Sequence, residues 1–168
     1  MKSKRIGRFG FAAVLLTFAA LPIQAQWTAP NSAAAAAPGS ALSIPQAKLI
    51  QPEALNRLLQ KAGPQKPLVL QVGSHVLFAQ AHIPGSEYVG PGSQPSGLQA
   101  LQDRVTSLAR NQFIVLYCGC CPWNHCPNIE PAFAKLREMG FTNVKVLYLA
   151  DNFGANWVNR GYPVEQGR

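Results

Sequence analysis

Apolar residues recur at a helical period in QPEALNRLLQKAG (51–63). Leu55, Leu58 and Leu59 share one face, Pro52 suits a first helical turn, and Gly63 supplies a stop. PLVLQV (67–72) then reads as a short buried strand. SHVLFAQ (74–80) predicts a helical turn, and Pro84-Gly85 a tight turn in the chain after it. GLQALQDRVTSLARN (97–111) predicts a second helix, with Leu98, Leu101, Val105 and Leu108 as its inward stripe. FIVLY (113–117) is apolar throughout and has no alternation, the pattern of a central parallel strand covered on both faces. IEPAFAKLREMG (129–140) is a third helix, with Pro131 in its first turn and Gly140 at its end. VKVLYLA (144–150) is another buried strand, NFGANWVNRG (152–161) a short last helix with Trp157 in the core, and YPVEQGR (162–168) a tail. Strands alternating with helices predict an α/β fold built on a parallel sheet. Ligands of such sheets sit at the carboxyl ends of the strands.

The regular pattern begins near Lys48, and what precedes it differs in composition. Residues 1–25 run from a basic MKSKRIGR through an apolar stretch to Ala25, the order of a secretory signal peptide. The competing reading, a retained anchor, needs about 20 apolar residues, and this run is shorter. No stable membrane insertion is expected after cleavage, and no other segment is long and apolar enough to span. Residues 26–44, QWTAPNSAAAAAPGSALSI, form an Ala/Pro/Ser-rich linker with too little apolar surface to offset its ordering entropy. Trp27 within it is expected to be exposed. A single domain therefore occupies 45–168, exported to the periplasm of a Gram-negative cell or secreted. Lys2, Lys4, Arg5 and Arg8 supply half of the formal charge of +8, leaving +4 on the mature chain. The remaining basic residues are scattered and not interleaved with aromatics, which argues against nucleic acid as a partner.

The chemistry is concentrated in VLYCGCCPWNHCPN (115–128), which holds all four cysteines of the 168-residue chain. The loop leaves the carboxyl end of the FIVLY strand and enters a helix for which Asn128 suits the N-cap. Free N–H groups at a helix start carry partial positive charge, bind anions and lower a nearby thiol pKa. Cys118, at the strand tip, is the expected nucleophile. Gly119, Cys120, Trp123, Asn124, His125 and Cys126 are the residues expected to line the substrate.

AHIPGSEYV (81–89) resembles the GHIPGA-type turn and following strand of rhodanese-like domains. IVLYC, a helix ending in EMGF, and NVKVLYLADNFGANWVNRGYPVE resemble the second half of that family in order and spacing, so the likeness runs over about residues 48–166. The resemblance implies a central parallel five-stranded sheet flanked by helices. It also implies a sulfurtransferase that carries sulfane sulfur as a cysteine persulfide, with Cys118 at the position of the persulfide-forming cysteine. It implies that His82 packs or hydrogen-bonds within its turn. Three features depart from the family. Its Asp-Val-Arg stands here as Gln71-Val72-Gly73; the loop has no arginine, which often helps thiosulfate-using members to hold the anion; and Gly140 lies 22 residues after Cys118, several more than usual.

Three readings of the cysteines stay open. Disulfides form in an oxidising compartment, but pairing Cys120 with Cys121 joins Cα atoms about 3.8 Å apart, below the usual range. The other pairings (118–120 with 121–126, 118–121 with 120–126) close small rings that add little stability. Cys118-Gly119-Cys120-Cys121 has the C-x-x-C spacing of redox dithiols, in which Cys121 resolves an intermediate on Cys118. Cys120, Cys121, Cys126 and His125 also suffice in number for Cu(I) or zinc, although zinc sites usually draw on two separated pairs. His125 is either an acid/base or a polar loop residue, Trp123 either covers the sulfur or closes over its own backbone, and His75 has no evident partner. The expected function is sulfur transfer through Cys118, with Cys121 assisting, from a small sulfur donor to a thiol or cyanide. It requires no cofactor or metal, and no protein partner is indicated. The alternatives are a non-enzymatic metal- or sulfur-binding protein and a periplasmic thiol–disulfide oxidoreductase.

Overall fold

The computed structural model describes residues 43–167 except 62, 64 and 65. The expected signal segment 1–25, Trp27 and the linker up to residue 42 lie outside the described residues. The fold is organised by the strand expected from FIVLY, Ile114–Tyr117, every residue of which is buried. The strands are β1 (Leu49–Ile50), β2 (Leu68–Gln71), β3 (Glu87–Tyr88), β4 (Ile114–Tyr117) and β5 (Val144–Leu147). They form one sheet in the order β1-β5-β4-β2-β3, and every pairing is parallel. In the centre, Leu68 pairs with Ile114 and Gln71 with Tyr117, while Leu116 pairs with Val146. β1 has only two residues and no periodicity of its own, so the sequence pattern did not reveal it.

The strands are bridged by α1 (Pro52–Gln60), α2 (His75–Gln80), α3 (Pro95–Val105), α4 (Ile129–Glu138) and α5 (Phe153–Asn156). Successive strand residues face opposite sides of a sheet, and β4 feeds two cores in this way. Ile114, Leu116 and then Cys118 join Leu101 and Val105 of α3 with Phe133 and Leu136 of α4. Val115 and Tyr117 join Leu55 of α1, Ile83, Phe153 and Trp157 on the other side. Ile44, the last residue of the expected linker, is buried in the first of these cores. Among the described residues no helix is long and apolar enough to cross a membrane.

Helix α3 starts two residues before the expected Gly97, because Pro95 supplies a pre-set φ in the first turn. It also ends at Val105, well short of Asn111. Thr106 turns its hydroxyl back to the Gln102 carbonyl at 2.7 Å, and the chain leaves the helix there. Leu101 and Val105 are therefore fully buried, while Leu98 and Leu108 only flank the core. His82 is buried, stacks on Phe78 with centroids 4.0 Å apart, and holds the Phe78 carbonyl 2.9 Å from its Nδ1. His75, for which no partner was evident, lies edge-on to the Tyr88 ring at 4.9 Å.

Tyr117 ties the Pro84-Gly85 turn to the sheet. Its hydroxyl accepts the Ile83 N–H at 3.3 Å and lies 3.1 Å from the Ser86 hydroxyl. Burial, partly offset by the hydrogen bonds with Ser86 and Ile83, pushes its pKa up to about 12. Tyr117→Phe leaves the buried Ile83 N–H without this partner, and we expect a loss of about 1–3 kcal/mol in urea unfolding. Below about pH 10 the phenol is neutral in both folded and unfolded chains. Between about 10 and 12 it ionises preferentially in the unfolded chain, so the wild-type protein loses stability as pH rises through that window. The Phe variant lacks this component, which parallel unfolding curves at pH 9 and about pH 11.5 will measure.

Candidate active site

β4 delivers Cys118 directly from its carboxyl end, and the register continues past the strand through the Val72 N–H to the Tyr117 carbonyl at 2.9 Å. Gly119 then turns the chain at φ +82°, a left-handed conformation that side chains rarely adopt. A Cβ there would also lie 2.8 Å from Cβ of Phe153. The loop is pinned to the segment after β5 at two points: the Gly119 carbonyl accepts the Phe153 N–H at 3.1 Å, and the Trp123 N–H donates to Ala150 at 3.1 Å. A 3₁₀ turn over Trp123–His125 leads through Cys126 to α4.

This path brings all four sulfurs together. Every Sγ of Cys118, Cys120, Cys121 and Cys126 lies within 4.8 Å of the others, and all four cysteines are free. Cys120 is 3.1 Å from Cys118 and 2.9 Å from Cys121. Cys118 and Cys126 are buried, and the other two are half-buried. Cys120 Sγ is thus in hydrogen-bond contact with both Cys118 and Cys121. Trp123 is half-buried, with its ring 5.1 Å from that of Tyr148. Asn124 and His125 are exposed, and His125 stands outside the group of converging ligand atoms.

The electrostatics differ from the expectation of a Cys118 thiolate stabilised by the helix start. The N–H groups of Asn128 and Ile129 hydrogen-bond Cys126 instead. Cys118 donates toward Cys120, contacts Cys126 and is buried, and these three effects push its thiol up despite the N–H of Cys120. The same hydrogen bond from Cys118, with a second from Cys126, holds Cys120 well below the ordinary thiol range. Burial, followed by the bond to Cys120, raises Cys121. Cys126 is also raised: the contact with Cys118 lowers it, but Cys120 and burial outweigh that. Of the four thiols, Cys120 is therefore the one shifted toward the thiolate.

Three residues outside the Cys-rich stretch complete the site. Asn128 occupies the N-cap position but makes no side-chain cap bond. Its Oδ1 accepts the Ser93 N–H at 3.1 Å and the Ser93 hydroxyl at 2.8 Å. That fixes the amide so that Nδ2 donates to Cys118 Sγ at 3.3 Å, with Cys120 Sγ at 3.8 Å. Gln71 is buried; its Oε1 accepts the Gly73 N–H at 3.1 Å and its Nε2 donates to the Cys118 carbonyl at 3.0 Å. Gly73 is packed so closely that a Cβ would meet Cys118 Sγ at 2.8 Å and its carbonyl at 2.9 Å. The departure of Gln71-Val72-Gly73 from the family pattern marked this place in the sequence. Its role, leaving room for the sulfur and bracing the Cys118 carbonyl, became visible only in three dimensions.

On its open side the site meets a cavity of about 290 Å³, with Gln71, Gln80, Tyr117, Cys118, Cys120 and Phe153 in its wall. Among the described residues, none that lines it is an Asp, Glu, Lys, Arg or His. The four sulfurs are the groups here that could hold a metal ion.

The rhodanese-like domain matches residues 51–149, from α1 to just beyond β5. No curated protein matches the chain in sequence. The rhodanese-like domain of the Alr3790 protein from Anabaena sp. is 23% identical, with a TM-score of 0.52, over 71% of this chain and 79% of that one. The BH2092 protein from Bacillus halodurans is 24% identical, with a TM-score of 0.54, over 70% and 75%. A thiosulfate sulfurtransferase from Pseudomonas aeruginosa is 26% identical, with a TM-score of 0.51, over 71% of this chain and 19% of that longer protein. The matched span contains the sheet's central strand, the loop with all four sulfurs and the helix that follows, and the chain belongs to the rhodanese-like domain family.

Proposed function

We propose that this domain transfers sulfane sulfur through a persulfide on Cys118, from small uncharged persulfides to a thiol or cyanide acceptor. The observation that carries the reading is a sulfur at the carboxyl end of the central strand, in the wall of a cavity without a lysine, arginine or histidine. Its N–H donors are the backbone of Cys120 and the amide of Asn128. The Cys118 proton, held in a hydrogen bond to Cys120 across 3.1 Å, leaves to solvent through the open cavity. The Cys118 thiolate attacks the outer sulfur of a persulfide R–S–SH, the S–S bond breaks, and R–S⁻ leaves with the electron pair. An acceptor thiolate or cyanide then attacks the outer sulfur, and Cys118 departs as thiolate, with no net oxidation of the protein. Cys120 acts as the second thiol in this scheme because it touches Cys118. The basic, apolar and small residues over 1–25 support export as part of the reading.

The absence of a cation from the described wall separates two donors. Incubation with an uncharged organic persulfide should add one sulfur to the intact mass, and cyanide should remove it. Thiosulfate, a dianion that must be desolvated against neutral groups, should load at least about tenfold more slowly. Equal loading by both would overturn the donor assignment, and loading of Cys118→Ser would overturn the site. Gly73→Ala pushes a methyl into Cys118; we expect it to cost about 1–3 kcal/mol in chemical unfolding and to slow loading even where the protein is fully folded.

A further inference from the structure

We infer that Cys118, Cys120, Cys121 and Cys126 also form a binding site for one soft thiophilic cation, of the class that Cu(I) and Zn(II) share. Its donors are sulfur alone, all four atoms lying within 4.8 Å of one another and none tied up in a disulfide. An all-thiolate set without oxygen selects such cations over hard ones. The size also fits. Zn–S bonds of about 2.3 Å put tetrahedral sulfurs about 3.8 Å apart. The separations here begin at 2.9 and 3.1 Å and extend to at most 4.8 Å. Both short edges meet at Cys120, which is half-buried, so the adjustment the cation requires is confined to that side chain and its neighbour Cys121.

An independent observation is the shell of N–H donors aimed at sulfur. Asn128 Nδ2 reaches Cys118, and Ser93 locks that amide in place from behind. The backbone N–H of Cys120 serves Cys118, and those of Asn128 and Ile129 serve Cys126. Donors of this kind stabilise metal-bound thiolates and orient them. Disulfide sulfurs, being neutral and weak acceptors, have little use for them. The cation also removes the charge conflict among four adjacent sulfurs, since it allows them to ionise together. Cys118 and Cys120 line the cavity, which gives the cation a way in. Because the cation takes Cys118, it and the persulfide exclude one another.

The test uses the full chain, fully reduced and freed of metal with a chelator, under anaerobic conditions. Zn(II) and Cu(I) are titrated separately and counted by native mass spectrometry, with a chromogenic competitor for affinity. One equivalent of either cation, with all four cysteines protected from iodoacetamide until the chelator returns, supports the site, and the tighter arm identifies the cation. Asn128→Ala should weaken binding by about 10–100-fold, and Ser93→Ala, a milder change, should weaken it in the same direction. Binding of neither cation, or binding that leaves the four cysteines equally alkylated, overturns the inference. Persulfide loading is measured on the same metal-free wild-type sample, so its success or failure is read separately from that of the cation site.

Discussion

Four sulfur atoms held within 4.8 Å of one another cannot all be anions without a cation among them. At an effective dielectric of about 20, two unit charges 3 Å apart repel by roughly 5–6 kcal/mol. The cluster therefore shares protons among its sulfurs, and Cys120 is the one favoured as thiolate because Cys118 and Cys126 donate to it. Much of the site follows from that constraint. Cys118, whose thiol is pushed up by its donation to Cys120 and by burial, is the sulfur that must lose a proton before it can react. A sulfur added to it projects the charge outward, and a bound cation would dissolve the conflict altogether.

The scaffold's contribution is to make this crowding tolerable. β4, covered on both faces, sets Cys118 at the carboxyl end of a strand buried along its whole length. Behind it, Gly73 removes the side chain that would displace the sulfur, and Gln71 occupies both the Gly73 N–H and the Cys118 carbonyl. Beside it, Ser93 aims the Asn128 amide at the sulfurs. The usual N-cap role of Asn128 is given up for this, and α4 begins with its free N–H groups turned to Cys126.

The framework was legible in the sequence because apolar periodicity records burial. FIVLY, VKVLYLA and PLVLQV contain the strands β4, β5 and β2, with β5 ending at Leu147 short of the expected Ala150, and Leu101 and Val105 are core residues, as their spacing implied. β1 escaped because two residues hold no period. The early end of α3 escaped because the return of the Thr106 hydroxyl onto its own helix competes with the apolar stripe. At the site, the cysteines announced themselves by residue type, but Gln71, Gly73 and Ser93 did not. Their roles depend on contacts across 47, 45 and 35 positions of chain, to Cys118 in the first two cases and to Asn128 in the third, which no local pattern encodes.

All four sulfurs come from one nine-residue stretch that opens at a strand end and is fastened to its surroundings by backbone hydrogen bonds at Gly119 and Trp123. The reactive part of the protein is in that sense a cassette. Moving residues 118–128 onto another parallel α/β sheet would transfer the whole donor set at once, provided a glycine and a serine stood where Gly73 and Ser93 do. The same property makes the fold indifferent to what the cassette does, so one scaffold could exchange one chemistry for another by replacing a single short segment.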